Sequence, residues 1–415
     1  MSYFLTNIHV NKIFHLENFD IPLDNDNLKH LIITGKNGSG KTILVNAIVE
    51  FLDMIKNDVL LNFLNFRQYK KNSIHVLENL KENDLGDTQI PQIEQNIKHW
   101  ESLISDTFGK VELNFNDITK IIKSYNENNF VFAFYEAARK TEIKESKNPT
   151  KPNFAANLAI KKDNKVSQFL NFLVDLKVQE ALARNERMLK DADEIRVWFE
   201  SFEQLLKDIF QNQSIKLEFD YKDYSFYILD GVKKFKFTQL SDGYSAIIDI
   251  VADLILKMQE KSSPNREYLK HGIVIIDEIE THLHLELQRL ILPMLTRIFP
   301  NIQFIVTTHS PFILNSLTNA VAYDLEKREK LEDLTEYSYE ALSEGYFGVR
   351  SESSYVEIRF NKFKELANKG SLSDGEKAEL NDLIKEFDDL SEVVSPQIKT
   401  EYYDVKLTAK NRVDL

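Results

Sequence analysis

The sequence contains one complete phosphate-binding pattern, G-x-x-x-x-G-K-[ST], near its N-terminus. The pattern is filled without a mismatch by Gly35, Lys36, Asn37, Gly38, Ser39, Gly40, Lys41 and Thr42. Glycines let the backbone wrap closely around phosphate groups, and the start of a following helix adds amide donors and a partial positive charge. In this pattern the lysine reaches the β- and γ-phosphates of a nucleotide and the threonine holds Mg²⁺. We therefore expect this segment to bind a nucleotide.

The residues around this loop predict the elements that position it. An apolar run at residues 31–34 has the composition of a buried strand, and apolar residues recur at intervals of three and four over residues 43–55, as in a helix with one buried face. A glycine-rich turn is often only a turn, but the order strand, loop and helix favours phosphate binding. Similar patterns predict further strands at residues 4–10, 14–21, 111–115, 130–134, 216–219 and 225–229.

Two carboxylates and a histidine follow other apolar runs. Asp277 and Glu278 come directly after residues 272–276. Neighbouring side chains at a strand end point to opposite sides, so Asp277 can face a metal ion while Glu278 faces a water molecule. Residues 302–306 form another apolar run, which is followed closely by His309. A lone histidine after a strand is usually structural, but its position after the two carboxylates favours a role in the same site.

A short polar segment separates the glycine-rich loop from the carboxylates. Residues 240–245 read Leu-Ser-Asp-Gly-Tyr-Ser and precede a helical run at 246–258. Taken alone, this segment indicates a helix cap and a turn. His282 and His284 invite a zinc hypothesis, but no convergent third ligand is evident, and we do not expect a zinc site.

Together these motifs resemble those of ABC-class ATPases, in the branch that includes SMC-like and OLD-like proteins. The resemblance covers roughly residues 1–325. In it, residues 35–42 match the Walker A loop, 240–243 the signature motif, 273–278 the Walker B strand with its catalytic glutamate, 280–284 the D-loop, and His309 the switch histidine. The signature typically reads L-S-G-G, whereas here Asp242 replaces the first glycine and Tyr244 the usual glutamine or glutamate. No Q-loop is secure: Gln68 comes early, and residues 136–139 are only a candidate replacement.

The resemblance implies an α/β fold: a P-loop NTPase with an ABC-type ATPase head, a helical insertion and a small C-terminal helical extension. We expect the ATPase domain to span residues 1–325, with a basic loop near 139–165 and a two-helix insertion near 166–212. Residues 326–415 would form the helical extension, which either packs on the ATPase core or serves assembly or partner docking. Within it, Ser373 and Glu376 form a capping box before a further helical pattern.

The resemblance also implies an ATPase that uses ATP and Mg²⁺. Thr42 would hold Mg²⁺ directly and Asp277 through water. Glu278 would polarise the attacking water, and His309 would contact the γ-phosphate beside Lys41. Catalysis of this kind consists mainly of positioning and charge neutralisation.

Two residues would act on another copy of the chain. In the family, the signature serine meets the γ-phosphate of the nucleotide bound by the opposite subunit. Ser241 and the backbone amide of Gly243 would therefore complete the site of a partner. This arrangement implies a homodimer, or a higher even-numbered homo-oligomer, with ATP between the subunits.

Composition narrows the remaining possibilities. The 415 residues contain no cysteine and carry a formal net charge of −13, so disulfides are excluded and the surface as a whole should repel nucleic acid. The basic segment at residues 139–165 is the best candidate for a local nucleic-acid contact, although a solvated linker is the favoured interpretation. No stretch approaches the roughly 18 apolar residues of a membrane span, and residues 1–5 do not resemble a secretory signal. We expect a cytoplasmic protein without membrane contact.

The core and the small extension together resemble the ATPases of bacterial anti-phage systems. Septu and its retron-linked relatives pair such an ATPase with an HNH nuclease, and PARIS pairs one with a Toprim effector. The resemblance implies a regulatory ATPase that controls a nuclease or toxin encoded nearby. Asp388 and Asp389 fall in a helical pattern rather than at strand ends, so no intrinsic nuclease is expected. The alternative is a DNA-repair or DNA-end-processing ATPase that acts without a dedicated effector.

Overall fold

The computed structural model describes residues 3–56, 59–82, 89–138, 166–259, 268–331, 354–389 and 396–410, with positions 334, 337, 341 and 342. The chain divides into two compact units, Met1–Tyr337 and Ser338–Leu415. The predicted basic loop at 139–165 lies outside the described residues. None of the described helices combines the length and the apolar character needed to cross a membrane.

A six-stranded sheet forms the centre of the first unit. Its strands, in spatial order, are β12 (Glu329–Leu331), β11 (Ala320–Asp324), β3 (His30–Thr34), β10 (Ile302–Thr307), β9 (His271–Ile276) and β5 (Phe130–Tyr135). All neighbours pair in parallel except β11 and β12. Strands β3, β5 and β10 are buried along their whole length, which explains their continuous apolar runs, because both faces of a parallel sheet are covered.

Two smaller antiparallel sheets contain the other described strands of this unit. One contains β2 (Leu16–Pro22), β1 (Leu5–Ile13) and β4 (Val111–Phe115), and the other contains β6 (Lys216–Asp220), β7 (Ser225–Asp230) and β8 (Lys233–Lys236). The prediction that a strand begins at residue 14 is wrong by two residues. Phe14 has φ 54° and is 82% exposed, so it lies in the turn between β1 and β2. β8 was not predicted, because a four-residue segment with three lysines has no strand signal.

The helices near the phosphate loop are α1 (Lys41–Lys56), α2 (Val59–Glu82), α3 (Ile90–Phe108) and α4 (Ile118–Asn126). Helices α2 and α3 pack against each other in opposite directions, with Phe66 stacked on Trp100 and an ion pair from Lys81 to Glu94. Helix α1 follows the phosphate loop without a break, as the apolar spacing predicts.

Further helices of the first unit follow residue 165. They are α5 (Val166–Asn185), α6 (Leu189–Phe210), α7 (Asp242–Met258), α8 (Leu285–Ile298) and the short α9 (Pro311–Leu314). Helices α5 and α6 are the two that the spacing of residues 166–210 predicts. Helix α7 begins at Asp242, four residues earlier than its apolar pattern indicates, and nearly all of it is buried.

In the described part of the second unit, the helices with defined bounds are α10 (Ser354–Asn368), α11 (Asp374–Asp389) and α12 (Pro396–Lys410). Their core is aromatic and aliphatic, with Phe360, Phe363, Leu380, Leu383, Phe387 and Tyr402 at its centre. The capping box is present: the Ser373 backbone N–H donates to Glu376 Oε2 at 2.9 Å, and the Glu376 N–H donates to Ser373 Oγ at 3.5 Å. Apolar residues at 356, 360, 363 and 366, and those at 380–390 after the capping box, predict α10 and α11. The sequence pattern missed α12, whose apolar spacing is weak.

Candidate ATP site

The glycine-rich loop connects the end of β3 to the start of α1. Gly35, Gly38 and Gly40 have φ values of 140°, 84° and 98°, a region that other residue types rarely adopt. A Cβ on Gly35 would lie 2.8 Å from Ser39 Oγ, and one on Gly40 would lie 2.9 Å from a methyl group of Leu16. The positive φ values therefore favour glycine at all three positions, and at Gly35 and Gly40 a Cβ would also force the side chain of Ser39 or Leu16 to shift.

Lys41 lies under this loop and is only 6% exposed. Its ammonium group donates to the carbonyl oxygens of Gly35 at 2.8 Å and Lys36 at 3.1 Å. Burial lowers the pKa of Lys41, and four nearby carboxylates oppose that shift: Glu278, Glu280, Asp277 and Asp324. The site therefore holds more negative than positive charge, which a divalent cation would offset.

Asp277 joins the loop to the next strands through two threonines. Thr42 Oγ1 donates to Asp277 Oδ2 at 2.9 Å, and Thr307 Oγ1 donates to Asp277 Oδ1 at 2.5 Å. The same Thr307 hydroxyl accepts the backbone N–H of Glu278 at 2.7 Å. Thr307, which is fully buried at the end of β10, therefore orients both carboxylate residues. Sequence reasoning did not single it out, and its only signal was a hydroxyl at a strand end shortly before His309.

Glu278 has an unusual backbone conformation. Strand β9 ends at Ile276, so the alternation of side chains along a strand does not by itself set the directions of Asp277 and Glu278. Glu278 instead has φ 44°, in the left-handed region, and the chain turns through residues 278–283. Such strain is of the order of 1–3 kcal/mol and is concentrated at functional sites, where surrounding contacts hold it. Here the hydrogen bond to Thr307 supplies such a contact.

His309 follows β10 and is half-buried. Its backbone N–H donates to Glu280 Oε1, which fixes the loop next to the turn after Glu278. Burial and then the charge of Lys41 lower the pKa of His309, whereas the carboxylates of Glu280, Glu278 and Asp277 raise it. The net direction is downward from 6.5, which favours the neutral form of the imidazole.

The signature segment lies at the start of α7. Ser241 occupies the N-cap position and is exposed, but its side chain makes no capping hydrogen bond. Gly243 is buried against the predicted D-loop: a Cβ there would lie 3.1 Å from the carbonyl oxygen of His282 and 3.2 Å from Leu287. Tyr244 stacks on Phe210 with ring centroids 4.6 Å apart. Ser241 therefore occupies the N-cap position, but its side chain does not perform the capping that the sequence indicates.

The structure collects part of the predicted set at one end of the sheet. Lys41, Thr42, Asp277, Glu278 and His309 follow the carboxyl ends of β3, β9 and β10, where parallel sheets place their ligands. Gln68 lies on α2 and bonds Asn72, and residues 136–138 follow β5.

The donor set fits a nucleotide with Mg²⁺. The Ser39 hydroxyl is buried without a hydrogen-bond partner among the described residues, so the loop has an unsatisfied polar atom of its own. Within the same described ranges, no three histidine, aspartate or glutamate side chains are grouped to hold a metal ion by themselves. Mg²⁺ is commonly bound by one or two protein ligands together with substrate phosphates, which is what Thr42 and Asp277 can offer.

Comparison with known families agrees with this geometry. A family model described as "AAA domain, putative AbiEii toxin, Type IV TA system" matches residues 31–315, which include the phosphate loop, the signature segment, both carboxylates and His309. The chain belongs to this family. Together with the parallel sheet, the match confirms the predicted α/β P-loop fold of the AAA domain.

Curated relatives of the AAA domain carry names from defence systems. The chain is 30% identical to the Septu protein PtuA of Bacillus mycoides over 178 residues, which is 41% of this chain and 25% of that protein. It is 39% identical to the retron Vc95 probable ATPase of Vibrio cholerae over 99 residues, which is 22% of this chain and 19% of that protein. The matches thus span a quarter or less of these relatives. They confirm the resemblance to Septu and retron-linked ATPases.

Solved structures give a weaker comparison. An SMC head bound to the C-winged helix domain of ScpA aligns with 80% of this chain and 96% of its own, at 12% identity and a TM-score of 0.35. That similarity is too low to establish a shared fold.

Proposed function

We propose that the chain binds and hydrolyses ATP with Mg²⁺ at this site. The observation that carries the proposal is the chain of hydrogen bonds from Thr42 through Asp277 and Thr307 to Glu278. It ties the phosphate loop to the two carboxylates that metal binding and water activation require. A structural glycine turn would need no such connection.

Each side chain has a distinct role under this proposal. The loop amides and Lys41 hold the phosphates, and Thr42 with Asp277 holds the metal ion. When bound, Mg²⁺ neutralises charge on the phosphate oxygens. Glu278, whose backbone is fixed by Thr307, orients the attacking water, and His309 contacts the γ-phosphate.

The site becomes complete only with a second copy of the chain. Ser241 is exposed and does not cap its own helix, so its hydroxyl is available to an external phosphate. We infer that Ser241 and the amide of Gly243 contact the nucleotide held by a partner. The assembly is then a homodimer, or a larger even-numbered oligomer, that closes around ATP.

Replacing Glu278 by glutamine tests the hydrolytic part of the proposal. Glu278→Gln keeps the size of the side chain but removes the base, so it should bind ATP, hydrolyse it at least about a hundredfold more slowly and accumulate as a closed dimer. Phosphate release and light scattering after size-exclusion chromatography in ATP measure both effects. Glu127→Gln, at an exposed carboxylate after α4, is the matched control. Hydrolysis by Glu278→Gln at the parental rate would refute the assignment of the base.

We further propose that this ATPase is a regulatory subunit in bacterial anti-phage defence, where its nucleotide state controls a nuclease or toxin. The support is the similarity to a Septu protein and to a retron ATPase, which covers only part of those relatives. Co-purification with the product of an adjacent gene tests the partnership. DNA-stimulated hydrolysis without any partner would instead favour the repair function.

Lys41→Ala tests whether nucleotide binding is needed for that role. The variant loses the buried ammonium group that the loop surrounds and should bind no ATP, so cells that carry it should lose protection against phage. Plaque counts and a nucleotide-binding assay on the purified protein are the two measurements. Full protection from a variant that binds no detectable ATP would contradict the proposal.

A further inference from the structure

Tyr135 contacts both β9, the strand that leads to Asp277 (the Asp277 strand), and α7, the helix that follows Ser241. It is the last residue of β5 and is fully buried. Its carbonyl oxygen accepts the backbone N–H of Asp277 at 2.9 Å. Its hydroxyl donates to Asp253 Oδ2 at 2.8 Å, near the middle of α7. One side chain and its own backbone therefore connect two functional elements that are distant in sequence.

The acceptor of this hydrogen bond belongs to a buried charge pair. Asp253 and Lys257 are 1% and 3% exposed, and Lys257 Nζ lies 3.6 Å from Asp253 Oδ2. Asp253 Oδ1 has no hydrogen-bond partner in the described part of the chain, so the tyrosine hydroxyl is a major contact of this carboxylate. Removing charges from water is expensive, and apolar residues of similar volume often pack into such positions without loss of stability. The pair therefore calls for a reason other than stability.

A directional bond offers that reason. Apolar packing lets a helix slide or rotate slightly, whereas a short hydrogen bond to a charged group fixes one point on it. Asp253 lies twelve residues after Ser241, or about 18 Å along the helix axis. A fixed point at Asp253 thus limits how far the start of α7 can shift.

The start of α7 has a second contact with the segment that bears the carboxylates. Gly243 lies against the carbonyl oxygen of His282, with room for no larger residue unless that carbonyl moves. Helix α7 is therefore held at two places against the residues that flank Asp277 and Glu278, by Tyr135 on one side and by His282 on the other.

We propose that Tyr135 is a positioning residue, which places Ser241 for the nucleotide of a partner subunit by fixing α7 to the Asp277 strand of its own subunit. The inference rests on the proposed function, in which Ser241 acts in trans. Tyr135 does not touch the nucleotide in this scheme. Within one subunit, Tyr135 connects two parts: the phosphate loop and carboxylates that bind that subunit's own nucleotide, and the signature segment that contacts the nucleotide of another copy.

Tyr135→Phe removes only the hydroxyl and keeps the ring. The expected result is a loss of about ten- to a hundredfold in kcat, because small misplacements of reacting groups have effects of that size, with ATP affinity of the monomer changed less than about twofold. Tyr402→Phe is the matched control, since Tyr402 is also buried and its hydroxyl donates to an aspartate, Asp388, in the second unit. It should leave kcat unchanged.

A mixing experiment distinguishes positioning of Ser241 from damage to the variant's own site. Tyr135→Phe is combined, before ATP is added, with an excess of Glu278→Gln. Each mixed dimer then pairs the intact carboxylates of the tyrosine variant with an intact signature from the other copy. The reference is parental protein mixed with the same excess of Glu278→Gln. Hydrolysis per Tyr135→Phe subunit should recover to the rate per parental subunit in that reference mixture.

Three results would overturn the inference. They are an unchanged kcat with a lowered melting temperature, a loss of ATP affinity that accounts for the whole effect, and an absence of recovery on mixing. Failure of the proposed function is recognised separately, because then the parent would not hydrolyse ATP or Ser241→Ala would have no effect on kcat.

Discussion

Two clusters of the same three residue types lie in opposite surroundings in the two units. In each, a tyrosine hydroxyl donates to an aspartate that also meets a lysine: Tyr135, Asp253 and Lys257 in the first unit, and Tyr402, Asp388 and Lys406 in the second. The tyrosine–aspartate distances are 2.8 and 2.7 Å. The charged side chains of the first cluster are 1% exposed, whereas those of Lys406 and Asp388 are 20% and 44% exposed.

The difference in solvent exposure shows why the same set of contacts can have different roles in the two units. In the second unit, water solvates both charges, and the pair joins α11 to α12 for a small gain in stability. Lys406 and then Tyr402 hold the pKa of Asp388 below its usual value, as expected for a carboxylate that accepts hydrogen bonds. In the first unit, the charges have lost most of their contact with water, and the cluster lies between the Asp277 strand and the signature helix. A positioning role fits that location better than a stabilising one.

The largest expected effect comes from breaking the buried cluster. Asp253→Ala removes the carboxylate that lies 3.6 Å from the buried Lys257 ammonium, and breaking a buried pair in this way is expected to destabilise the first unit by about 3–5 kcal/mol. Asp388→Ala should destabilise the second unit by about 1 kcal/mol or less, because both charges of its pair keep contact with water. Both tryptophans, Trp100 and Trp198, lie in the first unit, so urea unfolding followed by tryptophan fluorescence measures the effect of Asp253→Ala, and amide hydrogen exchange over residues 374–389 and 396–410 measures that of Asp388→Ala. If the two variants lowered the free energies of unfolding of their units equally, the buried and the exposed cluster would not differ in their contribution to stability.

A smaller effect should appear as a pH dependence of the second unit. Because the pKa of Asp388 is lowered in the folded state, its contribution to stability is present above the unfolded value of about 3.9 and is lost as the pH falls through the folded value. Protection factors from amide hydrogen exchange over residues 374–389 and 396–410, which correct for the slower intrinsic exchange in acid, should therefore fall as the pH is lowered, and less so in Asp388→Asn. An identical acid response in that variant would show that Asp388 is not responsible.

Local patterns in the sequence accounted for most of the fold and for part of the site. The phosphate loop, the strand before Asp277 and the stripes of α5 and α6 are signals within short windows, where periodicity and turn residues suffice. The capping box before α11 is equally local. By contrast, α12 has little apolar periodicity, and its core residue Tyr402 is recognisable only when α10 and α11 surround it.

The contacts that connect the motifs could not be predicted in the same way. Thr307 and Asp277 are 30 residues apart, and Tyr135 and Asp253 are 118 apart. Thr307 and Asp277 meet because they lie at the ends of neighbouring strands, and Tyr135 and Asp253 meet because α7 packs against β5. A pattern within a short stretch of sequence contains no information about such contacts. The left-handed conformation of Glu278 is likewise imposed by its surroundings rather than by its residue type.

Mixing two inactive variants tests whether the ATP site is shared between copies. Glu278→Gln lacks the base, and Ser241→Ala lacks the signature hydroxyl. In a dimer of one copy of each, one site carries both defects and the other carries none. Equal amounts combined before ATP is added should therefore regain about a quarter of the parental hydrolysis, since half of randomly formed dimers are mixed and each has one intact site.

A control mixture fixes the interpretation. Lys41→Ala and Glu278→Gln both damage the half-site that a subunit contributes through its own phosphate loop and carboxylates, so their mixed dimers have no intact site and should stay inactive. Recovery in the first mixture and none in the control is the predicted result. No recovery in the first mixture, although both variants fold and bind ATP, would contradict a site completed in trans by Ser241.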